Sequence, residues 1–269
     1  MPSATFVPSN RARDFGVEAA CGNTPGTGTV NKFGSTTNAD SAAPTDIWDG
    51  ANGTSTIIWV APTAARIHTL VSASDVDSDS GGSNPQAAGL RTLRVFYLPD
   101  WDTAETSEDV VMDGTAGVAM TNAAVMINRM FGLTWGANGT NTGIITATAA
   151  TDSTITSMIS AGKNQTLQAI YGVPSTQSIV ITHTGADINR TVGGTVEGTG
   201  TLLVNTAADT DPDAYLTKHP FSFTEDVPWE EDFDPPKKYD GPLIAKIQVT
   251  VDTNNSTVNG HFNAYVVNK

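Results

Sequence analysis

Cysteine occurs once in the 269 residues, at Cys21, so no internal disulfide can form and no cysteine pair offers the spacing of a zinc or haem site. Basic residues are scarce too: 14 Lys and Arg stand against 28 Asp and Glu, a formal net charge of -14. That removes the positive footprint of a nucleic-acid binder and repels anionic surfaces, so neither nucleic acid nor membrane is expected as a partner. No apolar run reaches the about 18 residues that a spanning helix needs, and the start, MPSATFVPSNRARDFGVEAACG, lacks an apolar signal region. Synthesis as a soluble cytoplasmic protein is the expectation. Motifs of catalysis are missing as well: there is no H-E-x-x-H, G-x-S-x-G, P-loop or dinucleotide fingerprint. This predicts a non-enzymatic protein with no cofactor and no catalytic residue.

What the chain has in quantity is turn and strand formers. Gly (25), Pro (14) and abundant Thr accompany only 16% charged residues, a mixture poor in helix formers. Residues 1–45 carry almost no apolar periodicity and read as an extended N-terminal arm without a core of its own. Beyond them, β-branched runs recur between Gly, Asn, Asp and Pro: 56–60, 67–74, 91–98, 125–135, 143–149, 167–173 and 178–183. The spacing predicts an all-β fold, an antiparallel, jelly-roll-like β-sandwich over residues 46–269. In LIAKIQVTV, Leu243, Ala245, Ile247, Val249 and Val251 share one face, and in VNGHFNAYVV so do Val258, Gly260, Phe262, Ala264 and Val266. With the turn at 252–256 between them, a C-terminal hairpin is expected. A short helix and a strand are equally compatible with 121–128.

Candidate chemistry is thin. His68, His183, His219 and His261 are scattered, and His68 and His183, lying inside strand patterns, read as structural histidines. Asp75, Asp77 and Asp79 alternate as in a calcium loop, because a hard cation needs several oxygens from one turn. The register then fails at Gly81 and Gln86, so no metal is expected, with these three as a weak candidate. Asp100, Asp102, Glu105, Glu108 and Asp109 around Trp101 imitate the carboxylate pair of a glycoside hydrolase, although a charged loop explains them more simply. The segment from Glu225 to Tyr239 is denied regular structure by Pro228, Pro235 and Pro236. It carries Trp229, Phe233 and Tyr239, which either cover their own core or bind a neighbour. In the arm, Phe6, Val7, Phe15 and Val17 are possible apolar anchors, Arg11 and Arg13 supply positive charge, and Gly22 to Gly28 form a flexible joint.

The ordered blocks VNKFGSTTNADSAAPTDIWDG, LRTLRVFYLPDWDTAETSEDVVMDGT, VMINRMFGLTWGANGTNTGIITATA, NQTLQAIYGVPSTQSIVITH and DPPKKYDGPLIAKIQVTVDTNNSTVNGHFNAYVV resemble a group of tailed-bacteriophage virion proteins. The resemblance covers nearly everything after residue 30 and implies a structural role in the particle; it supplies no catalytic residues. The expectation is a capsid cement or decoration protein on the head exterior, clamping neighbouring subunits of the major capsid protein, and itself a homo-oligomer, a trimer first of all. A tail or baseplate component touching the host surface is the alternative, and a virion-associated carbohydrate-active enzyme the reading from a different class.

Overall fold

Short β-branched runs with one apolar face become stable only when that face meets another sheet. The computed structural model describes residues 15–52, 57–79, 82–189 and 196–269. Among the described residues one short α-helix, α1 (Phe15–Ala20), and one 3₁₀ turn (Asp49–Asn52) accompany sixteen strands. The first two are β1 (Thr27–Ala39) and β2 (Thr45–Asp46). Next come β3 (His68–Ser72), β4 (Leu90–Leu98), β5 (Thr106–Val111), β6 (Val118–Ala119), β7 (Met126–Trp135), β8 (Ile145–Ala149) and β9 (Ile155–Ile159). The last are β10 (Ile170–Val173), β11 (Gln177–Asn189), β12 (Glu197–Asn205), β13 (Leu216–Thr224), β14 (Trp229–Asp240), β15 (Leu243–Val251) and β16 (Ser256–Asn268). Among the described residues strands hold 55% and helices 4%, so the chain is all-β and antiparallel.

Two sandwiches share the chain. The first pairs a sheet of order β1-β16-β11-β14 with one of order β10-β15-β12-β13, which β2 joins at β15. Its core takes Ile179, Ile181 and Phe262 from one sheet and Leu202, Ile247 and Val249 from the other. From β10 to β16 the chain passes between the sheets at every connection except β12 to β13, in the manner of a jelly roll. The second sandwich is inserted between β2 and β10. It faces the sheet β6-β3-β8-β9 against β5-β4-β7 around Leu70, Leu93, Val95, Ile127, Met130 and Ile145. A third apolar cluster, with Trp48, Trp59, Leu98, Met126, Ile170 and Ile244, joins the two units.

Several expectations are corrected. Residues 27–39, assigned to the arm, pair with β16 as an edge strand from Thr27↔Val267 to Ala39↔Ser256, because a Thr-rich extended segment needs only a free sheet edge to satisfy its backbone. The single sandwich over 46–269 is two. The C-terminal pair has the predicted inward faces, strictly alternating in β16, yet it is no hairpin. β15 pairs with β12, β10 and β2, while β16 pairs with β1 and β11, so the turn at 252–255 carries the chain across the core. The run 56–60 forms no strand in its described part: the Ile57 carbonyl and the Trp59 N–H bond to Asp46, and Ile58 and Val60 face outward. The segment 121–128 resolves as strand from Met126.

Candidate functional site

The expected sites fare differently. Phe6, Val7, Arg11 and Arg13 lie outside the described residues. Phe15 and Val17 stand on α1, 52% and 58% exposed, with the Phe15 ring edge-on to Tyr265 of β16 at 5.0 Å. Trp229, Phe233 and Tyr239 fold back on their own sandwich. Trp229 stacks on Phe221 with ring centroids 4.0 Å apart, Phe233 is buried, and Tyr239 packs on the same core. The segment is a strand in spite of its prolines. Lys237 pairs with Ile181 and Asp232 with His183, so residues 233–236 bulge out opposite Thr182 on a strand with only one neighbour, and Pro235 and Pro236 need give no ladder bond.

The alternating aspartates do not converge. Asp77 is fully buried and its oxygens accept from the N–H groups of Leu90 (2.9 Å), Thr142 (2.7 Å) and Gly143 (2.7 Å) and from Ser72 Oγ (2.6 Å). Asp75 accepts from Thr115, and Asp79 from Gln86 Nε2 at 2.6 Å. The three carboxylates pin different loops. The acidic stretch behind the glycosidase reading is dispersed in the same way: Asp100 closes its own turn, Glu108 accepts from Thr121 and Asn122, and Asp109 pairs with Arg94 at 2.7 Å.

Glu105 belongs to a polar seam between the sandwiches. Buried Lys32 of β1 donates through Nζ to the Asn128 carbonyl, and Asn128 Nδ2 donates to Glu105 at 2.6 Å and to the Gly172 carbonyl at 3.1 Å. Burial, helped by the Arg129 charge, lowers the Lys32 amine to about 7, and burial pushes the Glu105 carboxyl up. A depressed lysine beside a raised carboxyl is a pattern of active sites. Here Lys32 is 3% exposed and its amine is held by a carbonyl, and the adjoining cleft of about 350 Å³ is lined by Glu105 and Tyr171 but not by Lys32. The seam joins the two units, and its amine is closed off from the cleft.

A second cluster lies on the outer face of the first sandwich. Thr182 is an extra residue in β11, since Ile181 pairs with Ala264 and His183 with the adjacent Asn263. This bulge reverses the inward set from Ile179 and Ile181 to Ala186 and Ile188, and so turns His183 outward. Two residues on, Gly185 stands opposite Glu230 of β14 and His261 of β16. His183 Nε2 is 2.7 Å from Glu230 Oε2 and 3.2 Å from His261 Nε2, and the latter is 3.3 Å from the same Glu230 oxygen. On the far side of the ring, His183 Nδ1 lies 2.8 Å from Asp232 Oδ1. Among the described residues this is where three metal-ligating side chains converge. Reading histidines singly missed it: alternation along VNGHFNAYVV places His261 outward, but the bulge that turns His183 beside it leaves no mark in the sequence.

No family model matches the chain, and no curated protein or solved structure matches it either.

Proposed function

We propose that the protein is a non-enzymatic structural component of a tailed-phage virion, a cement or decoration protein that binds the major capsid protein on the head exterior and acts as a homo-oligomer. The observation that carries the reading is α1. It is a helix of six residues that leaves Phe15 and Val17 more than half exposed just ahead of the edge strand β1. Two large apolar groups on an element too short to hold itself gain most by covering a neighbour. The body offers such a protein broad antiparallel sheets in two units packed through a shared apolar cluster. The net charge of -14 directs attachment to neutral or basic protein surfaces.

The test is a truncation lacking residues 2–22, which keeps β1 whole. It should remain folded with an unchanged β spectrum and bind purified heads at least tenfold more weakly than the intact chain. Quantitative mass spectrometry of purified particles should find hundreds of copies. Unchanged decoration by the truncated chain, or a dozen copies confined to tails, would overturn the reading.

A further inference from the structure

We propose that His183, Glu230 and His261 form a zinc site on the outer face of the first sandwich. Four features of the structure meet there. The first is the triangle of ligand atoms, with edges of 2.7, 3.2 and 3.3 Å. Ligand atoms about 2.1 Å from a tetrahedral zinc lie about 3.4 Å from one another. Two edges already have that length, and the third opens by a small swing of Glu230, whose side chain is half exposed.

Space for the ion is the second feature. Gly185 occupies the middle of the three strands, directly between Glu230 and His261. A Cβ there would stand 2.2 Å from Glu230 Oε2 and 2.6 Å from His261 Cε1, so only glycine lets the two side chains close over the strand.

The third is the outer partner of His183. A hydrogen bond from Nδ1 to Asp232 at 2.8 Å fixes a proton on Nδ1, so that an ion taking the place of a proton at Nε2 would meet that nitrogen's lone pair, the carboxylate–histidine–metal arrangement. The fourth is the donor chemistry. Two imidazole nitrogens 3.2 Å apart repel through their lone pairs unless a proton or a cation lies between them, and a shared cation satisfies both together with the carboxylate. Two imidazoles and one carboxylate select zinc over calcium or magnesium, which take oxygen ligands. Three protein ligands leave one position open toward solvent, for a water or for a side chain of a neighbouring molecule. The ion ties the edge strand β14 to β11 and β16, and so stabilises the side of the sheet that has no further strand to cover it.

The experiment uses the full, untagged chain, stripped with EDTA and then freed of chelator. Calorimetric titration should show one equivalent of zinc bound at micromolar affinity or tighter, and saturating zinc should raise Tm by about 5 °C. Cobalt in place of zinc should give the intense visible bands of a tetrahedral ion. His261→Gln and Gly185→Ala should each weaken binding at least 100-fold, the second with every ligand still present, and Asp232→Asn by about 10- to 100-fold. In EDTA all three variants should melt as the parent does. A parent chain that takes up no zinc, a weak octahedral cobalt spectrum, or variants that bind as the parent does would each overturn the site, and the cobalt result needs no variant to fold.

Discussion

Asp46 and Lys246 form an ion pair at 2.6 Å with side chains 0% and 3% exposed. Asp46 also accepts from the Trp59 N–H at 2.8 Å and from Gln248 Nε2 at 3.0 Å, and the Lys246 ammonium sits 4.1 Å from the Tyr215 ring centroid. Burial raises the Asp46 carboxyl while Lys246 opposes that rise. Lys246→Met leaves a buried carboxylate with two of its donors, a loss of about 3 kcal/mol; Asp46→Asn leaves a buried ammonium facing a neutral amide and an aromatic ring with no counter-charge, a loss of about 3–5 kcal/mol. The double variant removes both charges and should cost far less than the sum, about 1–2 kcal/mol, so the cycle should return a coupling of at least about 2 kcal/mol. The sign with pH follows. Without Lys246 the folded-state pKa of Asp46 rises further above its unfolded value, so the Lys246→Met variant is penalised least in acid and loses stability as pH climbs through that raised pKa. Urea unfolding followed by tryptophan fluorescence suits the test, since Trp48 and Trp59 are buried in the adjoining cluster. Additivity of the two single changes within about 0.5 kcal/mol would refute the reasoning.

His68, fully buried, is lowered to about 4 by desolvation. Its folded pKa lies below the unfolded value near 6.5, so stability is lost as pH falls from about 6.5 toward 4, by about 3 kcal/mol, and His68→Leu should flatten that part of an acid-unfolding curve. Asp49, raised to about 6 by burial, has the opposite slope, with stability lost as pH rises through about 6, and Asp49→Asn should remove it in the same assay. Asp77→Ala strands three backbone N–H groups and the Ser72 hydroxyl and should cost about 3 kcal/mol or more in chemical denaturation. Gly34→Ala should destabilise more than Gly260→Ala in thermal melts. The first Cβ meets the backbone at Ala169 N (2.5 Å) and Ile47 O (2.6 Å), the second only the tip of Ile47 at 2.5 Å.

The strands were legible where one face is buried and the other wet. The inward sets of β15 and β16 follow from alternation, and β4, β7 and β11 begin within a residue or so of the apolar runs that announce them. Pairing was not legible, because a strand's composition says which face goes inward but nothing about its neighbour. Two strands joined by a tight turn therefore looked like a hairpin and proved to be opposite walls of one core. Lys246 falls on what alternation calls the solvent side of β15, yet Asp46 and Tyr215 cover it. The histidine cluster draws on residues 183, 230 and 261, in three strands, and depends on one extra residue in β11. The run 56–60 has the composition of a strand, but its described part lies in the link to the inserted sandwich, where Ile57 and Trp59 bond to the N–H and the carboxylate of Asp46 without extending the ladder.

That link explains why one chain can hold two sandwiches as a single structure. The outgoing segment at Ile47 and the returning segment at Ala169 cross the first sandwich side by side. Ile47 N–H donates to the Ile247 carbonyl, Ala169 N–H to the Ile47 carbonyl, and Ile247 N–H to the Ala169 carbonyl. They lie against β1 and β16 where Gly34 and Gly260 are paired directly across the two strands. Ile47 reaches into the space both glycines leave, and is itself fully buried. A side chain at Gly34 would press on the crossing backbone itself, at Ala169 N and Ile47 O, and so on the atoms that make these bonds, whereas one at Gly260 would press on the tip of Ile47. The glycine pair thus acts at the join: it admits both ends of the insertion into the first core, so that the second sandwich is carried on two closely bonded strands of chain with the buried Asp46–Lys246 pair beside them. Loops alone would leave the two units free to move independently. This bonded neck, with the apolar cluster of Trp48, Trp59 and Ile170 around it, is what ties the two β units together through more than the chain connections alone.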